Sequence, residues 1–372
     1  MNTEHGCHPG LWVRPANAIL GAPHIHSPQR RVHETHLPQT AHLMRAIAAA
    51  RLDSLADYAV VDIPAPQPGP GQVRIRVAAV GIGYVDALVA LGRYQVKPPL
   101  PHIPGSEISG TIDAIGADVS GWQVGDRALA MTMHGFAELA LAPAAACRRV
   151  PDGVGFAAAA AMPLNYLTAL HGLADRGRLQ PGETLLVFGG AGGVGTAAIQ
   201  VGKALGAHVI AAASTPEKRA FALAQGADQA IDTDVDGWRD RLKALLAGRK
   251  LDVIVDPVCG TLFEAAFRSL GWGGRHLVIG FVGGPIPALP SNLTLMKGAG
   301  LIGVDVRQFQ LFERSAAAAH LDTLSAWLAD GRITPAVGAV FAFDDFGPAL
   351  TAAFGGQGLG KSVLAVSGDS QA

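Results

Sequence analysis

Three glycines at fixed spacing are the residues of this sequence best suited to chemistry. Gly190, Gly192 and Gly195 form a Gly-x-Gly-x-x-Gly pattern that follows an apolar run and opens a helical segment. In that context the first glycine permits a tight turn, the second lets the backbone approach a pyrophosphate, and the third lets the helix pack on the strand. Backbone N–H groups at the helix start, with Gly193 and Val194 in the same loop, then bind the phosphates. The pattern predicts a dinucleotide-binding loop; the alternative is a glycine-rich turn without a ligand.

The residues after this loop indicate which dinucleotide is bound. An NAD site usually places Asp or Glu about 20 residues further on, where it binds the ribose 2′-hydroxyl. No acidic residue lies between Gly195 and Pro216, whereas Ser214, Lys218 and Arg219 are available to a 2′-phosphate. The sequence therefore predicts NADP(H), with NADPH as the working cofactor. The alternative is that the two cations only form a solvated helix face.

The elements that must position this loop form two patterns. Residues 44–150 contain short apolar segments separated by turns rich in Pro and Gly, which is typical of a small β-rich domain. From about residue 182, apolar strands alternate with helical stretches, which predicts a parallel sheet with helices on both faces. Past about residue 306, a helix and short strands are candidates for a return to the first domain. A length of 372 residues agrees with two domains.

Composition excludes several classes of protein. The net charge is −1 without a basic block, so nucleic acid is not an expected partner. No apolar run of about 18 residues is present, so no membrane span is expected. The three cysteines, Cys7, Cys147 and Cys259, are far apart, which excludes a disulfide framework and favours a reducing, cytoplasmic location.

The first 43 residues differ from the rest of the chain. They contain seven of the thirteen histidines, several prolines and no apolar period, so we interpret residues 1–43 as a flexible extension. The pairs His24/His26 and His33/His36 are a candidate metal trap, with an incidental polar tail as the favoured alternative. Strand-like sequence begins at Met44, which is a candidate for the true start.

Several segments together resemble the medium-chain dehydrogenase/reductase superfamily, and within it the zinc-independent quinone oxidoreductase-like branch. The resemblance implies an α/β protein whose GroES-like β-rich catalytic domain (44–166 and 306–372) is interrupted by a Rossmann dinucleotide-binding domain (167–305). It also implies substrate in the cleft between the domains, and a homodimer or homotetramer in which Leu301–Val304 pairs across the interface. The segments that carry it are Gly69–Val80, Pro104–Gly110, Val124–Arg127, Gly189–Gly195, Lys203–Ala207 and Gly360–Leu364.

Zinc-dependent relatives in this superfamily have ligands that this chain lacks. Gly83 stands where they carry a Cys, Ser106 stands where they carry a His, and Val85 replaces the hydroxyl of their proton relay. Because zinc needs about three thiolate or imidazole ligands for catalysis, neither zinc site of those relatives can form, and we predict no metal. The resemblance places Asp86 and Glu107 at family positions where they organise the β-rich domain.

The resemblance also suggests residues around the reacting groups. Tyr84 and Tyr94 fall in the segment matching the substrate cleft, where a phenol is a hydrogen-bond or proton donor, although plain packing is an equal alternative. Thr168 is the candidate cofactor contact at the domain junction, Phe281 follows a strand near the nicotinamide, and Lys361 closes the terminal motif, with a surface charge as its alternative.

Four other residues are weaker candidates. Asn165 matches the same junction as Thr168. His134 and His171 are conceivable general acids, but a lone histidine is more often structural. Cys259 follows a strand near the expected cofactor and is interpreted as a small buried residue.

The predicted function is hydride transfer from NADPH to a quinone or a similar conjugated carbonyl acceptor, without a metal. The first alternative is an NADPH-dependent reductase of enones, alkenals or enoyl thioesters. The second is an NADPH-binding protein with little turnover.

Overall fold

A computed structural model describes residues 42–356 and 358–367. The predicted extension at residues 1–43, with its histidine pairs, therefore lies outside the described residues except for its last two positions. Leu43 already belongs to the first strand. Within the described ranges, no helix combines the length and the apolar character that a bilayer crossing requires.

A hairpin and a seven-stranded sheet contain the strands of the β-rich part. These strands are β1 (Leu43–Ala49), β2 (Tyr58–Pro64), β3 (Gln72–Ile82), β4 (Glu107–Ile115), β5 (Arg127–Met131), β6 (Leu139–Pro143), β7 (Cys147–Arg149), β14 (Val337–Ala342) and β15 (Lys361–Ala365). The hairpin pairs β1 with β2, and the sheet runs β14-β15-β3-β4-β5-β7, with β6 also paired to β3. The last two strands of the chain thus lie beside an early strand, so the β-rich domain is completed by the C-terminal segment.

The other sheet has six parallel strands. They are β8 (Thr184–Phe188), β9 (His208–Ala212), β10 (Gln229–Ile231), β11 (Val253–Asp256), β12 (Arg275–Val278) and β13 (Gly300–Gly303). Their order across the sheet is β10-β9-β8-β11-β12-β13. Relative to the first strand of the unit this is the order 3-2-1-4-5-6 of a doubly wound dinucleotide-binding fold. The predicted α/β fold, with its GroES-like and Rossmann parts, is confirmed.

Helices cover both faces of the parallel sheet, connect it to the β-rich part, and also pack on the β-rich part itself. The α-helices are α1 (Tyr84–Ala90), α2 (Phe156–Ala161), α3 (Pro163–Leu170), α4 (Gly193–Ala204), α5 (Pro216–Ala224), α6 (Trp238–Leu246), α7 (Phe263–Ser269), α8 (Asn292–Lys297), α9 (Val306–Phe312), α10 (Arg314–Ala329) and α11 (Phe346–Gly355). A π-helical turn, His171–Arg176, directly continues α3.

Burial on both faces explains why residues Leu185–Phe188 of strand β8 form an unbroken apolar run. Leu185 and Val187 point into one core with helix α4, while Leu186 and Phe188 point into the core on the opposite face. Alternate residues of a strand face opposite sides, so a strand covered on both sides favours apolar residues throughout. The glycine loop therefore follows a strand that is held firmly from both sides.

Candidate functional site

A cleft of about 510 Å³ lies where the carboxyl ends of β8 and β11 face the β-rich domain. Connections run outward in opposite directions from these two neighbouring strands, and doubly wound sheets bind their ligands at that switch point. The glycine loop forms one wall, and residues following β3 and preceding β15 form another. The volume of the cleft lies within the range of about 300–1,000 Å³ typical of cofactor and ligand sites.

The glycine loop closely fits the role predicted from its spacing. A Cβ on Gly190 would lie 2.9 Å from the Ala211 Cβ, and one on Gly195 would lie 2.1 Å from the Gly189 carbonyl oxygen. Gly192 differs, because a Cβ there would meet no atom nearer than the Gly189 oxygen at 3.5 Å. Two of the glycines therefore allow protein packing, while Gly192 leaves open space on the cleft side.

The loop also places the start of a helix at the cleft. Gly192 is the N-cap of α4, and Gly193, Val194 and Gly195 all line the cleft in its first turn. The first N–H groups of a helix have no partner within it and carry partial positive charge, which suits a phosphate. These residues are therefore suited to bind a pyrophosphate.

The far end of the cleft lies beyond strand β9. Ser214, Lys218 and Thr233 line it. Thr215 caps helix α5 by accepting a hydrogen bond from the Lys218 N–H at 3.2 Å, which fixes the first helical turn beside the cleft. Arg219 does not line the cleft; its guanidinium donates to the Ala213 and Ser214 carbonyl oxygens at 3.1 and 3.0 Å, so it holds the loop in place.

The opposite end contains an aromatic pair. Tyr84, the first residue of α1, stacks on Phe354 of α11 with ring centroids 5.6 Å apart and planes 7° apart. Both residues line the cleft. Just before them, the Gly83 N–H donates to an Asp86 carboxylate oxygen at 2.7 Å. Burial raises the pKa of Asp86 to about 6, although the Lys361 ammonium opposes this shift.

A buried ion pair closes the floor of the cleft. The Lys361 ammonium of β15 contacts a Glu107 oxygen of β4, and the other Glu107 oxygen accepts from the Leu164 N–H of α3 at 2.8 Å. Glu107 has no exposed surface and Lys361 is 5% exposed. A Cβ on Gly83 would lie 3.3 Å from the lysine nitrogen, so any larger residue there would crowd the ammonium.

Backbone contacts lock the glycine loop to the C-terminal segment. The Gly360 N–H donates to the Ala191 carbonyl oxygen at 2.8 Å, and Gly192 and Gly360 form a parallel bridge. Asn165 of α3 approaches from a third side, since a Cβ on Gly193 would lie 2.4 Å from its amide nitrogen. The loop is thus held by its own fold, by α3 and by the segment before β15.

Three further residues predicted for the site do not line the cleft. Tyr94 lies in the bend after α1, beyond a turn in which Gly92 has φ +63°. The Thr168 hydroxyl donates to the Leu164 carbonyl oxygen at 2.7 Å within α3, whereas Asn165 lines the cleft. Phe281 is 42% exposed, and its neighbour Val282 lines the cleft instead.

Asp256, at the end of β11, lines the cleft although it is not among the residues predicted for the site. Its carboxylate accepts from the Val258 and Cys259 N–H groups at 2.9 and 2.7 Å and lies 3.1 Å from the His276 ring. Asp256 therefore shapes the loop that lines the cleft opposite the glycines. An acid at the carboxyl end of a parallel strand was the available signal. Burial raises the pKa of Cys259 to about 12, so its thiol stays protonated.

Comparisons with known proteins agree with this geometry. Residues 69–171 match the family described as alcohol dehydrogenase GroES-like domain, and residues 193–321 match the family described as zinc-binding dehydrogenase. The chain is 36% identical to quinone oxidoreductase-like protein 2 of Rattus norvegicus over 288 residues, covering 77% of this chain and 82% of the relative.

Two quinone oxidoreductases give similar matches. The enzyme of Homo sapiens is 31% identical over 291 residues, covering 77% of this chain and 86% of the relative. The solved quinone oxidoreductase from Thermus thermophilus, whose structure was also determined with NADPH, is 33% identical with a TM-score of 0.75, covering 87% of this chain and 100% of the relative.

Proposed function

Since this chain belongs to the quinone oxidoreductase-like branch of the medium-chain dehydrogenase/reductase superfamily, we propose that it reduces quinones or similar conjugated carbonyl compounds with NADPH. The observation that carries the proposal is a single cleft that joins a phosphate-binding helix start to an aromatic pair. None of the described residues lining that cleft is Cys or His.

NADPH is favoured over NADH by the far end of the cleft. The Gly192–Gly195 turn holds the pyrophosphate, which leaves the adenosine beside Ser214 and Lys218. No acidic residue lies between the end of β9 and Pro216 to repel a 2′-phosphate, and Lys218 brings a positive charge to that end. When bound, the cofactor supplies a hydride; the protein contributes orientation and a cleft that excludes water.

The class of acceptor is inferred from the side chains that this chain offers at the reacting end of the cleft. The family description of residues 193–321 names zinc, yet Gly83 and Ser106 supply neither thiolate nor imidazole at the positions of the zinc ligands. An acceptor that takes a hydride without a Lewis acid is therefore the better fit. Tyr84 lines the cleft, and we propose that its hydroxyl hydrogen-bonds the acceptor oxygen and delivers or relays its proton, while stacking on Phe354 holds the phenol ring.

We also propose a homodimer built on strand β13. This strand lies at the open edge of the six-stranded sheet, and Leu301 within it is 42% exposed. Leu295 and Met296 of the preceding helix are 81% and 68% exposed. Light scattering should give a dimeric mass for the wild type and a monomeric mass for Leu301→Lys. Leu223→Lys, at a position 45% exposed on α5, is the matched control that should stay dimeric.

Steady-state kinetics with the chelator-treated full chain test the main proposal. We would follow oxidation of NADPH and of NADH with 1,4-benzoquinone and 9,10-phenanthrenequinone as acceptors. Turnover that prefers NADPH and needs no added metal is the expected result. Tyr84→Phe should lower kcat by about 10²–10⁴-fold if the phenol delivers the proton. Tyr94→Phe, a phenol outside the cleft, should leave kcat unchanged.

Other outcomes would change the assignment. Reduction of enones but not quinones would assign the chain to the enone reductase alternative. NADPH binding without turnover on either class of acceptor would favour a binding protein. Alcohol oxidation that appears only with added zinc would refute the metal-independent proposal.

A further inference from the structure

A cluster of two histidines and an aspartate lies away from the cleft. The Asp175 Oδ2 atom is 2.7 Å from His171 Nδ1 and 2.8 Å from His320 Nε2. One ligand atom of each residue lies within 4.8 Å of the other two. In the part of the chain that the structure describes, no other group of three such residues comes this close together. None of the three lines the cleft.

Neighbouring elements hold these side chains in place. His171 and Asp175 lie four residues apart in the π-helical turn after α3, and His320 comes from α10. The Phe309 ring of α9 stacks on His171 at 3.8 Å and 14°, and it packs against His320 at 5.5 Å. One aromatic ring therefore orients both imidazoles towards the same carboxylate oxygen.

We propose that His171, Asp175 and His320 bind a divalent transition-metal ion, with Zn²⁺, Co²⁺ and Ni²⁺ as the class of ligand. Two imidazoles and one carboxylate suit these ions, which accept mixed nitrogen and oxygen ligands. The ion binds His171 Nδ1 and His320 Nε2 in their unprotonated form, each neutral ring carries its proton on its other nitrogen, and any proton displaced on binding is released to solvent. The side chain of Asp175 is 39% exposed, so ions enter from solvent and water completes the coordination.

The role that follows is structural. Bound metal joins the π-helical turn to α10, two segments separated by more than a hundred residues. Binding only to the folded state raises stability with metal concentration. Because the cleft residues are not involved, the site is independent of the reductase activity proposed above.

Equilibrium dialysis of the chelator-treated full chain against Zn²⁺ tests the proposal. Seven histidines in residues 1–43 also bind zinc in principle, so the informative quantity is the difference between variants. His320→Gln keeps a hydrogen-bond donor for Asp175 but removes the imidazole ligand. We expect it to bind one zinc ion fewer, or to bind that ion at least about 10–100-fold more weakly, which is the loss seen even for partners of metal ligands.

Two matched variants make the result specific. His208→Gln alters an imidazole beside a single carboxylate, Asp228, and should bind zinc like the wild type. A His24→Ala/His26→Ala variant should retain the site. Zinc should also raise the thermal midpoint of the wild type more than that of His320→Gln. Equal zinc stoichiometry, affinity and thermal shift in the wild type and His320→Gln would overturn the proposal.

Discussion

Replacing Gly192 with alanine should weaken cofactor binding at least about tenfold while leaving the fold intact. Gly192 has φ −85° and ψ 172°, which any L-residue adopts, and its new methyl group would meet no protein atom nearer than 3.5 Å. Alanine restricts the backbone of the unfolded chain more than glycine does, which stabilises the folded protein by about 0.4–1 kcal/mol. Alanine is a poorer N-cap than glycine by a similar amount. The two effects nearly cancel, so the free energy of unfolding should change by less than about 1 kcal/mol.

The loss of binding follows from the same geometry. The methyl group projects into the space left for the pyrophosphate and displaces it from the first N–H groups of α4. Each charge-assisted hydrogen bond lost costs about 1.5–3 kcal/mol, which corresponds to roughly 10–150-fold in affinity. Gly195→Ala is the contrasting variant, because its Cβ would lie 2.1 Å from the Gly189 oxygen and should destabilise the fold by about 1–3 kcal/mol.

Two measurements separate these effects. Fluorescence titration with NADPH gives the dissociation constant, and urea unfolding of the cofactor-free protein gives the stability. Gly192→Ala should bind NADPH more weakly with an almost unchanged free energy of unfolding. Gly195→Ala should have a lower free energy of unfolding. Unchanged NADPH affinity in Gly192→Ala would refute the placement of the pyrophosphate. A large loss of stability in that variant would refute the open space inferred at Gly192.

The remaining predictions concern charges in and below the cleft. Lys218→Glu should weaken NADPH binding at least about tenfold and NADH binding far less, and Lys243→Glu on α6 is the control with the same charge change in the titration. Lys361→Met leaves the buried Glu107 without its cation and should cost about 3–5 kcal/mol in urea unfolding, with a smaller loss in the double variant that adds Glu107→Gln. Because folding raises the Asp86 pKa from 3.8 to about 6, the folded state binds the extra proton, and stability falls as pH rises through that window. Asp86→Asn should lack this fall and be more stable than the wild type above pH 6 by up to about 3 kcal/mol, and parallel stability–pH curves for the two proteins would contradict the shift.

Local features of the sequence predict the fold and the glycine loop. Spacing within a few residues predicts a strand, a tight turn and a helix start, and Gly190, Gly192 and Gly195 lie as that spacing requires. The preceding apolar run predicts β8 because burial on both faces favours apolar residues at successive positions. These features are short-range consequences of backbone geometry, so they can be predicted from a single sequence.

Which side chains reach the reacting end of the cleft depends on long-range packing, and residue spacing in the sequence does not reveal that packing. Tyr84 and Tyr94 looked equivalent in the sequence, but the chain leaves α1 at Ala90 and turns, so only Tyr84 reaches the cleft. Thr168 was preferred to Asn165 at the domain junction, yet within α3 the threonine hydroxyl bonds to a backbone carbonyl. The contact between Lys361 and Glu107 joins residues 254 positions apart.

That long-range contact bears directly on the chemistry of the cleft. Asp86 and Glu107 are two buried carboxylates, and buried charges need a partner. In this chain the Lys361 ammonium pairs with Glu107 and acts on Asp86 by its nearby charge, and Gly83 leaves it room: a Cβ there would lie 3.3 Å from the lysine nitrogen and 3.4 Å from an Asp86 oxygen. The cation that balances these carboxylates is thus part of the polypeptide. A lysine donates hydrogen bonds but cannot act as a Lewis acid on an alcohol oxygen, which supports acceptors that are already activated by conjugation.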